Sequence, residues 1–317
     1  MNKPVYSIVV PLYNEEEVVQ ESYKRLKQVM EKADGPYEII FINDGSKDAT
    51  PQLVAQLVTA DPTLRFISFS RNFGHQPAIT AGMDYAGGDA IIIIDADLQD
   101  PPEVMLEMMQ KWRQGYDVVY GKRMRRKGET FFKKLTSTLY YRVLRSMTNV
   151  DIPVDVGDFR LIDRKVCNAL KSMPEKNRYM RGMVSWVGFN QTAVEYVRDE
   201  RFAGETKYPL RKMIKLAVDG ITAFSYKPLK FATSIGFVVS SLSFLYLLFI
   251  LFQKIFTNQA VVGWASTVAI LLFSQGIVMM ILGVMGEYIG RVFEESKNRP
   301  IYLVKESMGF HHEPNEE

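Results

Sequence analysis

From Phe231 to Gln253 no side chain carries a charge, and none does from Ile255 to Gly286; Lys254 stands alone between the two runs. No other feature limits the fold of this chain so sharply. Each run holds a helix of about 20 residues, the length that crosses the ~30 Å hydrocarbon core of a bilayer. The runs are apolar all round rather than along one stripe, which argues against a hairpin buried in a soluble core. Basic residues gather outside them: Arg201, Lys207, Arg211, Lys212, Lys215, Lys227 and Lys230 before, and Arg291, Lys297, Arg299 and Lys305 after. By the positive-inside rule both flanking segments lie on the cytoplasmic side and the short connecting loop outside. The expected location is the cell membrane, multi-pass, with the large N-terminal segment and both termini cytoplasmic. Nothing at Met1-Asn2-Lys3-Pro4 reads as a signal peptide. The net charge of +3 gives nucleic acid little to bind, and a lone Cys167 excludes an internal disulfide.

Ahead of the runs, β-branched stretches alternate with helical patterns. Residues 6–12, 37–43, 65–70, 91–94 and 117–120 read as strands. Residues 16–31, 49–60, 76–86 and 103–114 read as helices, the first with Asn14 as its N-cap. Such alternation predicts a doubly wound α/β domain with a mostly parallel sheet. Beyond Arg123 the pattern loosens, with helices expected over 131–147 and 163–172 and a strand over 189–196. Basic and apolar residues alternate over Pro209–Phe224 at helical spacing, which predicts an interfacial amphipathic helix beside the first span. The expected organisation is a catalytic domain over 1–200, a juxtamembrane region over 201–229, two spans within 230–290 (231–253 and 264–287), and a cytoplasmic tail over 291–317.

In an open α/β sheet, ligands bind outside the carboxyl ends of the strands. There this chain places Asn14-Glu15, Asp44-Gly45-Ser46, Ser70-Arg71-Asn72 and, after four isoleucines, Asp95-Ala96-Asp97. Singly, each reads as a cap or turn. Together they line an acidic and polar pocket. Two carboxylates spaced i, i+2 repel unless a cation sits between them, and hard oxygen ligands suit Mg²⁺ or Mn²⁺ on a phosphate substrate. The chain has no G-x-x-x-x-G-K-[ST], and no G-x-G-x-x-G follows the first strand. Neither a P-loop nor a dinucleotide site is therefore expected.

Four motifs carry a resemblance: Pro11-Leu12-Tyr13-Asn14-Glu15, Asn43-Asp44-Gly45-Ser46, Asp95 to Pro102, and Gly204-Glu205-Thr206-Lys207-Tyr208. The chain resembles the inverting nucleotide-sugar glycosyltransferases of family 2, and within them the polyprenyl-phosphate glycosyltransferases, over essentially its whole length. The resemblance implies a GT-A catalytic domain with interfacial helices and a C-terminal two-helix hairpin. It implies that Pro11, Tyr13, Glu15, Asp44 and Ala96 line the nucleotide pocket. Asp95 and Asp97 would hold the divalent metal, with Gln99 as a further ligand. Arg123 and Lys207 would serve the donor, and Arg160, Arg201 and Arg211 the acceptor phosphate. Asp158 becomes the candidate base or orienting carboxylate, with Asp97 beside it in the chemistry. Dolichol-type relatives tend to read Ser-Gly-Phe-Arg where this chain has Gly157-Asp158-Phe159-Arg160. That departure favours the bactoprenol glucosyltransferase branch.

The implied reaction moves a sugar, glucose or N-acetylglucosamine, from a UDP-sugar to polyprenyl (undecaprenyl) phosphate at the cytoplasmic face, with inversion, for cell-envelope glycosylation. A processive polysaccharide synthase shares the strand-end acids, but Arg178-Tyr179-Met180-Arg181 with Trp186 does not make its Gln-x-x-Arg-Trp motif. A non-catalytic nucleotide-sugar-binding scaffold is the other rival, and the intact acid pair argues against it. Gly276, Gly283 and Gly286 would let spans pack closely in a homo-oligomer.

Overall fold

The computed structural model describes residues 3–124, 153, 156–199, 225–257 and 263–310. The first half alternates as the sequence predicts. It runs β1 (Tyr6–Leu12), α1 (Val19–Met30), β2 (Tyr37–Asn43), α2 (Thr50–Ala60), β3 (Leu64–Phe69), α3 (His75–Tyr85), β4 (Ala90–Ile93), α4 (Val104–Arg113) and β5 (Val118–Arg123). Then come β6 (Val156–Asp163), α5 (Arg164–Lys171), α6 (Met180–Trp186) and β7 (Gln191–Tyr196). Two long helices follow, α7 (Lys227–Thr257) and α8 (Trp264–Ser296), and last β8 (Val304–Met308).

The strands form one sheet in the order β7-β5-β6-β4-β1-β2-β3-β8. β2 and β4 flank β1 and run parallel to it, and β3 runs parallel to β2. β6 is antiparallel to both β4 and β5, so those two share a direction, and β7 follows β5. The chain therefore leaves β1 towards β2 on one side and returns as β4 on the other. That is a topological switch point, where a crevice opens at the carboxyl ends of β1 and β4.

Period-2 alternation explains the two cores. Ile8, Val10, Phe41 and Ile92 face the layer of α1, α2 and α4, with Leu26, Val54 and Met108 packed on them. Val9, Ile40, Ile42 and Ile93 face α3, α5 and α6, with Ile79, Cys167 and Met183 opposite. Both faces of β1 and β4 are thus buried, which accounts for their near-continuous apolar sequence. α3 lies close on β1 because Gly82 has no side chain: a Cβ there would stand 2.1 Å from Val9 Cγ1.

Three elements differ from the sequence reading. Asn14 does not cap α1, which starts five residues later; it sits at φ 52° and its Oδ1 accepts from Lys47 N–H at 2.9 Å. Short polar side chains tolerate that left-handed conformation and bond locally. β6 joins the sheet as an inserted antiparallel strand. Asn298-Arg299-Pro300 after the second span is expected from sequence to return the tail to the N-terminal domain, and the segment does so, as a strand that the sequence reading did not assign. β8 pairs antiparallel with β3, Ser70 N–H donates to Leu303 O at 3.0 Å, and Tyr302 stacks on Phe69 at 5.1 Å between centroids. The amphipathic helix expected over 209–224, the helix expected over 131–147 and the end of the tail lie outside the described residues.

α7 has 31 residues and α8 has 33. At about 1.5 Å per residue both exceed the ~30 Å of a bilayer core. Each contains a stretch apolar enough to cross one, Lys227–Tyr246 and Phe273–Ser296, and almost none of either stretch is buried in the protein. Phe237 and Phe273 are more than 70% exposed, which excludes a soluble-core hairpin as the reason for their apolarity. Expected outcome: Tyr302→Ala removes the Phe69 stack and the hydrogen bond to Asp84 Oδ2 (2.9 Å). A loss of about 2 kcal/mol, roughly 4–8 °C in Tm, is predicted. An unchanged melting curve would refute the strand's role as a fastening.

Candidate active site

The carboxyl ends of β1 to β4 arrive together, and their loops are laced by side chains. Asn14 N–H donates to Ser46 Oγ and Glu15 N–H to Thr50 Oγ1, both at 2.9 Å. Asp44, at the end of β2 and 3% exposed, accepts Phe73 N–H at 2.6 Å and Gly74 N–H at 2.9 Å. Burial pushes its carboxyl up, and those two donors offset only part of the rise. Gly45 makes the approach feasible: it sits at φ +66°, and a Cβ would fall 2.4 Å from the Arg71 carbonyl carbon. Asp44 therefore shapes the loop after β3 as well as bordering the crevice. Pro11 is buried in β1, Tyr13 is 36% exposed at its end, and Glu15 is half-buried.

Asp95 and Asp97 follow β4 as expected. Ala96 between them is buried in the core beside β1 and α4, so its side chain contributes packing. Gln99 touches Asp97 through its main chain, its N–H donating to Oδ1 at 3.2 Å. Leu98, at φ 56°, turns the chain there. The hard oxygen donors of Asp95 and Asp97 fit Mg²⁺ or Mn²⁺. Among the described residues no group of three or more His, Cys, Asp and Glu side chains is placed to hold a metal. Remaining coordination positions would fall to water and substrate phosphate oxygens, the common arrangement for Mg²⁺.

Facing the acid pair is a cluster that the sequence reading did not assemble. β6 presents Asp158, whose side chain is 8% exposed. Its Oδ1 lies 3.1 Å from Arg181 Nε. Its Oδ2 lies 3.3 Å from both His75 Nε2 and Gln76 Nε2. His75 Nε2 is also 3.5 Å from Asp95 Oδ1, so the imidazole bridges the two acids. Burial alone would raise the Asp158 carboxyl; the charges of Arg181, His75 and Arg160 outweigh it and hold it well below the usual range. Burial works against the His75 imidazolium, but the Asp158 hydrogen bond and both carboxylate charges push it up to about 9. Asp95 is pushed up to about 6, by burial first and by Asp158, Asp100 and Asp97, with His75 opposing.

Arg160 does not open onto the crevice. It is 2% exposed, burial lowers its pKa to about 10, and it donates to Gly157 O at 2.8 Å and Asp158 O at 3.3 Å. A guanidinium bound in this way supports the β6 backbone, and Arg181 takes the more open place beside Asp158. Arg123 lies in a second network around Asp100, itself 1% exposed. Arg123 and Arg198 approach that carboxylate at 3.3 and 3.4 Å, and Tyr196 Oη donates at 2.5 Å. Lys207, Arg201 and Arg211 lie outside the described residues. The signal for His75, Gln76 and Arg181 was faint: one histidine without metal-ligand spacing, and an Arg-Tyr-Met-Arg run that matched no motif.

Residues 7–171 match the family model described as Glycosyl transferase family 2. The chain is 60% identical over 304 residues to the uncharacterized glycosyltransferase YkcC of Bacillus subtilis (strain 168), covering 96% of this chain and 94% of that one. It is 46% identical over 299 residues to the prophage bactoprenol glucosyl transferase homolog of Escherichia coli (strain K12), covering 94% and 98%. It is 44% identical over 301 residues to the bactoprenol glucosyl transferase of Shigella phage SfII, covering 95% and 97%. An enzyme built to transfer a sugar is the class that this sheet and these relatives define. The chain belongs to glycosyl transferase family 2, with the GT-A type of mixed, mostly parallel sheet. Among solved structures, glucosyl-3-phosphoglycerate synthase from Mycobacterium tuberculosis aligns at 18% identity over 69% of this chain and 78% of its own, with a TM-score of 0.48; so distant a likeness leaves the site to be read from its own residues.

A metal ligand must be deprotonated to bind. If Asp95 holds the metal, with its carboxyl pushed up to about 6, Mn²⁺ affinity is expected to be nearly flat between pH 7 and 8, where His75 keeps its charge. It should then fall about tenfold per unit below pH 6, as one proton competes for the site. Calorimetric titration at pH 5 and pH 7.5 checks this, and equal affinities would contradict it.

Proposed function

We propose that this glycosyltransferase moves a sugar from a UDP-sugar to a polyprenyl phosphate at the membrane surface, with inversion. One observation carries the reading: a strand-end acid site and an apolar two-helix hairpin are fastened into one unit by β8. The bactoprenol glucosyl transferases at 44–46% identity over nearly all of the chain support it, and favour glucose over N-acetylglucosamine as the sugar. A polyprenyl chain cannot leave a bilayer cheaply, at roughly 0.8 kcal/mol per CH₂. Its transferase must therefore work at the interface. Since β8 and the N-terminal strands share one sheet, both ends of the hairpin belong on one side of the membrane, which fits the cytoplasmic assignment from the basic flanks.

In this reading Asp95 and Asp97 hold Mg²⁺ or Mn²⁺ at the donor diphosphate. The ion supplies charge stabilisation for the departing nucleoside diphosphate. Pro11, Tyr13, Glu15 and Asp44 border the nucleotide end. Arg181, beside Asp158, and Arg123, beside Asp100, supply positive potential for phosphate oxygens. Asp158 is too acidic to be a strong base. None is needed, because a lipid phosphate with a second pKa of about 6 is already anionic at neutral pH. Asp158 orients Arg181, His75 and Gln76 around the acceptor. Lys207, Arg201 and Arg211 serve the donor and acceptor phosphates from the juxtamembrane region. In-line attack opposite the leaving diphosphate gives a β-linked lipid from an α-linked donor.

The test is purified full-length protein with undecaprenyl phosphate and a panel of UDP-sugars, read by mass spectrometry. A metal-dependent product carrying one hexose from UDP-glucose is expected, with a β anomeric signal by NMR. Asp97→Ala should lower the rate by about 100-fold or more. Products with several sugars would indicate a processive synthase. Donor binding without any lipid product would indicate a scaffold.

A further inference from the structure

The end of α8 reaches the catalytic cluster by a route that the transfer chemistry does not itself require. Glu295, in its last turn, accepts hydrogen bonds from the backbone of the loop between α5 and α6: Lys176 N–H at 2.9 Å and Asn177 N–H at 3.4 Å to Oε1. That loop is braced from inside by Arg178, which is 9% exposed and donates to Met173 O at 2.7 Å and Glu175 O at 3.2 Å. Immediately after it the chain delivers two groups to the site. Met180 N–H donates to Gln76 Oε1 at 2.9 Å, and Arg181 Nε sits 3.1 Å from Asp158 Oδ1. Gln76 closes the circuit through its own Nε2 on Asp158.

The segment after α8 grips a second active-site element. α3 carries His75 and Gln76 at its start. At its other end Asp84 accepts from Tyr302 Oη at 2.9 Å, and Tyr85 packs edge-on to Phe310 at 5.2 Å. The loop that leads into α6 is thus held by the end of the second long helix, and α3 by the chain that leaves that helix.

We propose that Glu295 is a positioning residue for sugar transfer: by holding the 176–177 backbone from the end of α8, it fixes Arg181 against Asp158. The hairpin is then part of the active-site scaffold as well as an anchor. The proposal rests on reading the Asp158–Arg181 pair as part of the active site.

The test is a double-mutant cycle in full-length protein reconstituted in phospholipid vesicles, with transfer to polyprenyl phosphate as the readout. Glu295→Ala should lower kcat about tenfold with little change in KM for the UDP-sugar, whereas Glu295→Gln, which keeps an acceptor oxygen, should stay within about threefold of wild type. Arg181→Ala should lower kcat at least as far, and adding Glu295→Ala to it should cost nothing more, because coupled groups are not additive. Glu294→Ala, which removes only a neighbouring surface carboxylate paired with Lys297, is the matched control and should leave the rate unchanged. Additive losses, or a Glu295→Ala enzyme with wild-type kcat, would overturn the proposal. If Glu295→Ala does not fold, Glu295→Gln decides: a folded variant slowed tenfold overturns the hydrogen-bond account. Wild-type transfer by Arg181→Ala would instead defeat the reading of the site itself.

Discussion

A carboxylate almost wholly hidden from water protonates or moves unless other groups compensate its charge. Asp158 is such a group at 7% exposure, and its compensation ties the active site together. Arg181 comes from α6, His75 and Gln76 from α3, and Asp158 itself from an inserted antiparallel strand. None of these elements adjoins another in sequence. Through His75 the same anion reaches Asp95 at the end of β4, so the β6 side and the β4 side of the crevice share one electrostatic circuit. The arrangement keeps Asp158 ionised at any physiological pH, which suits an orienting anion better than a proton acceptor.

The sheet explains why this circuit lies at the crevice beyond the carboxyl ends of β1 and β4. The order around β1 places the switch point between β1 and β4, and β6 packs directly beside β4. Register then sets Ile93 opposite Arg160, so the acids that follow β4 face Asp158, two residues earlier on β6. At the far edge, β8 returns from the long helices and pairs with β3, whose continuation is the loop held by Asp44. The hairpin and the crevice are therefore joined mechanically as well as by chain continuity.

What could be read from the sequence was local. Strand-end clusters at Asp44 and Asp95–Asp97 followed from apolar runs ending in polar residues, and the two long helices followed from the absence of charge. The elements that escaped are those fixed by distant pairing. Val156–Asp163 has its charged residues Asp158, Arg160 and Asp163 interleaved with apolar ones and was given no element from sequence, yet it sits as a strand between β4 and β5. β8 reads Val-Lys-Glu-Ser-Met, polar enough for a tail, and becomes a strand because the β3 edge is open to it. Arg160 stood as an acceptor-side residue through the resemblance alone; its burial and its bonds to the Gly157 and Asp158 carbonyls could be seen only once β6 was placed in the sheet. His75 carried no spacing signal because its partners are 20 and 83 residues away in number and only meet across the sheet.

The most direct test of this account is Asp158→Asn in the full-length protein, comparing UDP-sugar binding with lipid glycosylation. The substitution keeps the shape and removes the charge that holds Arg181 and His75. Donor affinity is predicted to stay within about threefold while the yield of sugar-linked polyprenyl phosphate falls by about 100-fold or more. An Asp158→Asn enzyme that glycosylates the lipid at a rate near wild type would show that the buried anion is not the organising centre of the site.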